Sequence, residues 1–107
     1  YKSNIKTKNF KFIEQKEDEI ESYTMFVSIA EDRDGLQKYL SENDVQSLVY
    51  YGTPLHLQNA SKKHGYKKGD FPKAEYLCDR VISLPFHQYL KEEEILLVSD
   101  MVNKYYK

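Results

Sequence analysis

Hydrophobic positions along the chain repeat with period two in its first half and mostly with helical spacing in its second. Phe10 and Phe12 alternate with Asn9 and Lys11, which predicts a short strand. An acidic stretch from Glu14 to Glu21 follows; its charges cannot pack, so it reads as a solvated hairpin loop. Tyr23, Met25, Val27 and Ile29 then alternate with Thr24, Phe26 and Ser28, predicting a second strand with the first set on its apolar face. Asp32 or Asp34 can cap a helix in which Leu36, Tyr39 and Leu40 fall at i, i+3 and i+4. Val45 to Tyr51 is rich in strand formers and predicts a third strand, stopped by Gly52, Thr53 and Pro54.

The second half is mainly helical in pattern. Leu57 to His64 is a short helical stretch, with Gly65 placed to close it in the left-handed region. Asp70 as cap and Pro72 in the first turn open the next helix. There Ala74, Leu77, Cys78, Val81 and Ile82 form the cleanest amphipathic stripe in the chain, ended by Pro85. Glu92, Glu93 and Glu94 begin the last helix, where negative charge is favoured by the amide dipoles. Ile95, Val98, Met101, Val102 and Tyr105 mark its buried side. Few strands with clustered helices, and no regular alternation of the two, predict an α+β fold: a small, mainly antiparallel sheet with helices packed on one face. Residues 1–8 are polar around an isolated Ile5 and read as the frayed end of a longer element.

Composition narrows the function. At 107 residues the chain fits one domain with a modest core. It opens on Tyr1 rather than Met, so a piece of a longer protein is expected. No signal-peptide pattern opens it, and its longest plainly apolar run is Ile95 to Val98, which is far short of a membrane span. With a single cysteine there is no internal disulfide, and a cytoplasmic, membrane-free setting is expected. A net charge of -1 argues against a nucleic-acid partner, because phosphate neutralisation supplies most of such a protein's affinity. Ten tyrosines and no tryptophan suit surfaces that are half-buried against something else.

Spacing alone yields little chemistry. Cys78 lies on the buried stripe of its helix, where a thiol behaves as a small hydrophobe rather than a nucleophile. His56, His64 and His87 show no metal-ligand spacing, and no metal site is expected. His56 differs from the other two in following a Gly-Thr-Pro break at a strand end, where loops often aim side chains into clefts. Lys62, Lys63, Lys67 and Lys68 around Tyr66 read as a solvated basic loop in preference to a phosphate site.

From Tyr50 onward the text is more specific. It runs Tyr51-Gly52-Thr53-Pro54-Leu55-His56-Leu57-Gln58, then Gly65-Tyr66-Lys67-Lys68-Gly69-Asp70-Phe71-Pro72 with Ala74-Glu75, then Ser83-Leu84-Pro85. Together with Glu93-Glu94-Ile95, and with Asp32-Arg33-Asp34 upstream, this resembles the C-terminal end of the DegT family of sugar aminotransferases. The resemblance implies the small domain of a fold-type I, pyridoxal-phosphate-dependent enzyme. Residues 1–8 would be a remnant of an interdomain element and residues 9–107 the C-terminal small domain, with the N-terminal cofactor-binding domain absent from this sequence. It implies a parent that moves an amino group from an amino acid, with glutamate the expected donor, onto a nucleotide-linked keto-sugar, and that works as a homodimer. The large domain of that family supplies the lysine, the carboxylate and the phosphate cup that pyridoxal phosphate requires. None is expected in this piece, which should be inactive alone and bind no cofactor.

The same resemblance puts Tyr51, His56 and Tyr50 near the sugar as substrate-binding residues, with no catalytic residue in the piece. A phenol and an imidazole can hydrogen-bond sugar hydroxyls or diphosphate oxygens. Departures from the commonest family text fall in these loops: Tyr50 where His is frequent, Gly52 where Pro is, Asn59 where Pro often follows Gln58, and Phe86-His87-Gln88 after Leu-Pro. They bear on which sugar is bound. Gly69, Asp70 and Pro72 read as structural: a turn, a cap and a helix start. Two alternatives stay open, a sugar dehydratase of the same family and a non-catalytic interaction module with this fold.

Overall fold

A computed structural model describes residues 1–107. Two strands come first, β1 (Phe10–Phe12) and β2 (Phe26–Ala30), then helix α1 (Arg33–Glu42). Two 3-10 turns, Leu55–Leu57 and Asn59–His64, lead to helix α2 (Pro72–Cys78), strand β3 (Val81–Leu84) and helix α3 (Glu92–Tyr105). The strands form one antiparallel sheet in the order β1-β2-β3. Helices α1 and α3 cover one face of it, so the expected α+β architecture is the observed one.

Register decides which side chains face the helices. Phe10 lies opposite Ala30, Phe12 opposite Ser28, Ser28 opposite Ile82, and Phe26 opposite Leu84. Directly opposed residues share a face, so these positions make the sheet's inner surface. They pack on Leu36 and Leu40 of α1 and on Val98 and Val102 of α3. The apolar face expected for the second strand is therefore the outer one. Val27 and Ile29 are only half-buried, whereas Phe26, Ser28 and Ala30 are buried. Hydropathy alone gives small inward residues such as Ser28 and Ala30 little weight.

Two other expectations are corrected. The amphipathic stripe does not stay helical to Ile82; α2 stops at Cys78, and Val81 and Ile82 belong to β3. β-Branched residues suit a strand edge as well as a helix face, and pairing with β2 decides between them. Val45 to Tyr51 is not a full strand. It makes one bridge, in which Leu48 donates to Ser83 O at 3.0 Å and Ser83 donates to Leu48 O at 2.8 Å.

Caps also differ from expectation. Asp32 adopts a left-handed φ of 48° and makes no cap bond; its carboxylate instead accepts the Tyr105 hydroxyl at 2.5 Å. Gly35 leaves room for that contact, since a Cβ there would press on both the Tyr105 hydroxyl and the Asp32 carboxylate. The residue ahead of Pro72 is Phe71, and Asp70 instead accepts the Lys67 N–H at 2.9 Å. In the first turn of α3, Glu94 accepts the Lys91 N–H at 2.8 Å. Residues 1–8 are tied down: Tyr1 Oη donates to Pro85 O at 2.9 Å, Ile5 is buried, and Asn103 bonds both Lys6 N–H and Asn4 O at 2.9 Å.

Arg33 links this frame to the second half of the chain. It is buried, and its Nη1 donates to Cys78 O at 3.2 Å and Val81 O at 3.0 Å, clamping the α2–β3 junction to the start of α1. Charge-assisted bonds of this kind are stronger than neutral ones, and losing the donor strands two carbonyls. Arg33→Met, which keeps the aliphatic stem, is expected to lower unfolding free energy by about 2–3 kcal/mol. Urea denaturation followed by circular dichroism checks it; an unchanged midpoint would remove the clamp from the account.

Candidate functional site

The loop after the Leu48 bridge turns over α2 and borders an open cavity of about 550 Å³. The local sequence dictates its shape. Pro54 is buried and fixes its own φ, and its carbonyl accepts the Leu57 N–H at 2.9 Å, closing a single 3-10 turn. Gln58 Nε2 donates to Thr53 O at 3.4 Å across the same turn. Tyr50, Tyr51 and His56 all line the cavity, so the three residues singled out in the sequence come together in one place.

They differ sharply in exposure. Tyr51 is 68% exposed and Tyr50 52%, so both present their rings to solvent. The His56 side chain is only 7% exposed. Its Nε2 lies 3.0 Å from Glu75 Oε1, and its ring packs against Phe71 with centroids 4.8 Å apart. Tyr66 in turn meets the Phe71 ring edge-on at 5.2 Å.

Glu75 was not marked out by sequence reasoning, although Ala74-Glu75 belongs to the recognised text. Its Oε1 also accepts the Gly69 N–H at 2.7 Å. Gly69 reaches that position at a left-handed φ of 98°, as does Gly65 at 76°, which is why glycines stand at both. The Gly69 N–H first, and then the His56 ring, hold the Glu75 carboxyl below the usual carboxylate range. The other sequence candidates stay apart. His64 and His87 are exposed, and no group of three metal-ligating side chains forms. Lys62, Lys63, Lys67 and Lys68 are exposed, as the solvated-loop reading expects. No helix is long and apolar enough to cross a membrane.

Cys78 lines the cavity's inner side, and its thiol is pushed up by burial and then by the Asp79 charge. A raised thiol pKa leaves little thiolate at neutral pH. Alkylation of Cys78 by iodoacetamide at pH 7 is therefore expected to run slower than that of free cysteine, and to accelerate as pH rises toward 9. A rate at pH 7 matching or exceeding free cysteine would contradict the assignment.

A model of the DegT/DnrJ/EryC1/StrS aminotransferase family matches residues 1–103. The chain is 40% identical to a pleiotropic regulatory protein of Geobacillus stearothermophilus, over 70% of this chain and 20% of that one. It is 32% identical to the dTDP-3-amino-3,6-dideoxy-alpha-D-galactopyranose transaminase of Aneurinibacillus thermoaerophilus, over 83% of this chain and 24% of that one. Among solved structures it superposes on a DegT DnrJ EryC1 StrS aminotransferase from Brucella abortus with a TM-score of 0.81 and 31% identity, covering 92% of this chain and 26% of that one. The chain thus spans about a fifth to a quarter of the length of the curated relatives it matches.

Proposed function

Because the chain belongs to the DegT/DnrJ/EryC1/StrS aminotransferase family, we propose that it forms one wall of the substrate cleft in a pyridoxal-phosphate-dependent nucleotide-sugar aminotransferase. In this reading residues 9–107 are the C-terminal small domain, and residues 1–8 are the remnant of an element leading to a larger, cofactor-binding domain. The whole protein, a cytoplasmic homodimer, moves an amino group from an amino acid, with glutamate as donor, to a keto-sugar carried on a nucleotide. The observation that carries this is the convergence of Tyr50, Tyr51 and His56 on one cavity.

The chemistry of that cavity suits binding rather than bond-making. Two exposed phenols offer flat faces to a sugar ring and hydroxyls that donate and accept hydrogen bonds. Leu55, 77% exposed at the rim, adds apolar surface of the kind that marks a docking site. The residues present do not fit pyridoxal phosphate itself. All fourteen lysines are exposed, and none lines the cavity, so no amine is desolvated enough to bond a cofactor. This chain's part in the reaction is to orient the sugar.

In the full-length enzyme, Tyr51→Ala is expected to raise KM for a dTDP-linked keto-sugar about tenfold, the worth of one good hydrogen bond plus its ring contact. The cofactor's absorption band and the KM for glutamate should not move. An unchanged sugar KM in both Tyr51→Ala and His56→Ala would overturn the cleft-wall reading. The 107-residue chain, mixed with pyridoxal phosphate and dialysed, is expected to keep no cofactor band; a retained band would assign it cofactor chemistry of its own.

A further inference from the structure

We propose that Glu75 is a positioning residue for this wall. By binding His56 at Nε2 it leaves Nδ1 as an acceptor for a sugar hydroxyl rather than a donor to phosphate. The inference rests on the cleft-wall reading and extends it to the group that is recognised. Two contacts hold the imidazole, Glu75 Oε1 at Nε2 and the Phe71 ring tilted against it, and the side chain is only 7% exposed. Glu75 itself is 13% exposed at its side chain, although its neighbours Lys73, Ala74 and Tyr76 on the same short helix are exposed. A glutamate in a helix's first turn has no need of burial; here the side chain is directed inward and meets both His56 and Gly69.

An ionised carboxylate only accepts hydrogen bonds, so the ring nitrogen facing it carries the proton. In the neutral ring the other nitrogen then holds a lone pair. Such an atom recognises an O–H or N–H donor. A fully ionised diphosphate presents acceptors alone and gains nothing from it. The same Glu75 oxygen also anchors the Gly69 N–H, so the ring's orientation and the Gly65–Phe71 loop are set by one atom.

That both bonds fall on Oε1 makes the idea testable, because glutamine keeps that oxygen. In the full-length enzyme, Glu75→Gln is expected to bind dTDP-glucose or UDP-glucose within about twofold of wild type. Glu75→Ala should weaken that binding about tenfold, the loss of one well-placed hydrogen bond, while dTDP and UDP bind as before. Nitrogen-15 NMR of His56 should show the proton on Nε2 in wild type and Glu75→Gln, and mixed tautomers in Glu75→Ala. A merely structural glutamate would not move the tautomer. The proposal falls if Glu75→Ala leaves the tautomer or sugar-nucleotide binding unchanged, if Glu75→Gln behaves like Glu75→Ala, or if the dTDP and UDP affinities fall equally. Loss of affinity in Tyr51→Ala without loss in Glu75→Ala would sink the positioning role alone. A wild-type enzyme that binds neither sugar nucleotide would sink the cleft-wall reading, and the hydroxyl half of this proposal with it.

Discussion

When Val81–Leu84 pairs antiparallel with Phe26–Ala30, it fixes the core, the loop and the helix that together make the cavity. The pairing turns Ile82 and Leu84 onto the same face as Ser28 and Phe26, which sets the surface that α1 and α3 cover. It also leaves the N–H and C=O of Ser83 pointing the other way, because alternate residues of an antiparallel strand bond to opposite neighbours. Leu48 takes both of those groups. The chain is thereby delivered to Tyr50 at the cavity's edge. At the other end of β3, Arg33 holds the carbonyls of Cys78 and Val81, which fixes where α2 ends and hence where Glu75 stands. Losing this register would move the cavity's walls along with the core.

Much of this frame is legible in the sequence, and the failures have physical causes. The α+β class follows from few strands and clustered helices, and Gly65 closes its turn as its position suggests. The inward face of β2 is misread because Ser28 and Ala30 are inside while Val27 and Ile29 are larger and outside. The register of pairing with β1 and β3, and not hydropathy, decides that alternation. Val81 and Ile82 fit two periods at once, helical with Ala74 and Cys78, or extended with Ser83 and Leu84. Only the presence of β2 as a partner separates them, and a partner more than fifty residues upstream leaves no local mark. Tyr50, Tyr51 and His56 could be named because they flank a Gly-Thr-Pro break inside recognisable text. Glu75 could not, since its role arises from two contacts made through space, to a ring and a backbone amide on separate loops.

The wall that results is hard behind and soft in front. His56, Glu75, Phe71 and the Gly69 amide form a contiguous brace, in which the His56 and Glu75 side chains are largely covered and Glu75 Oε1 bonds both His56 Nε2 and the Gly69 N–H. Tyr50 and Tyr51 stand ahead of it with their rings in solvent. Buried polar networks hold one geometry when every member is satisfied, whereas an exposed phenol gives up little on meeting a ligand. In the proposed cleft wall, a surface built this way would keep an anchoring group in place while its outer aromatics adapt to different sugars. The departures from the commonest family text at Tyr50 and Gly52 fall in the soft layer. Gly69, Phe71, Pro72 and Glu75, which make the brace and its support, keep to the recognised text.

The same division explains why so small a core is sufficient for this chain's proposed role. Eleven hydrophobic residues are buried, whereas Tyr51, Leu55, Tyr89, Leu96 and Leu97 all lie open. A free-standing domain of this size would be expected to cover more of them. α3 illustrates the point: Val98 and Val102 fill the core, but Leu96 and Leu97 face away from it on the same helix. Apolar surface on two sides of one helix fits an element placed between its own sheet and a second body. If residues 9–107 close over a cofactor-bearing domain, as proposed, that outer surface is where part of the missing burial is made. The cavity beside Tyr51 would then become enclosed only when the two bodies meet, and its hydrogen bonds to a sugar would strengthen as water leaves.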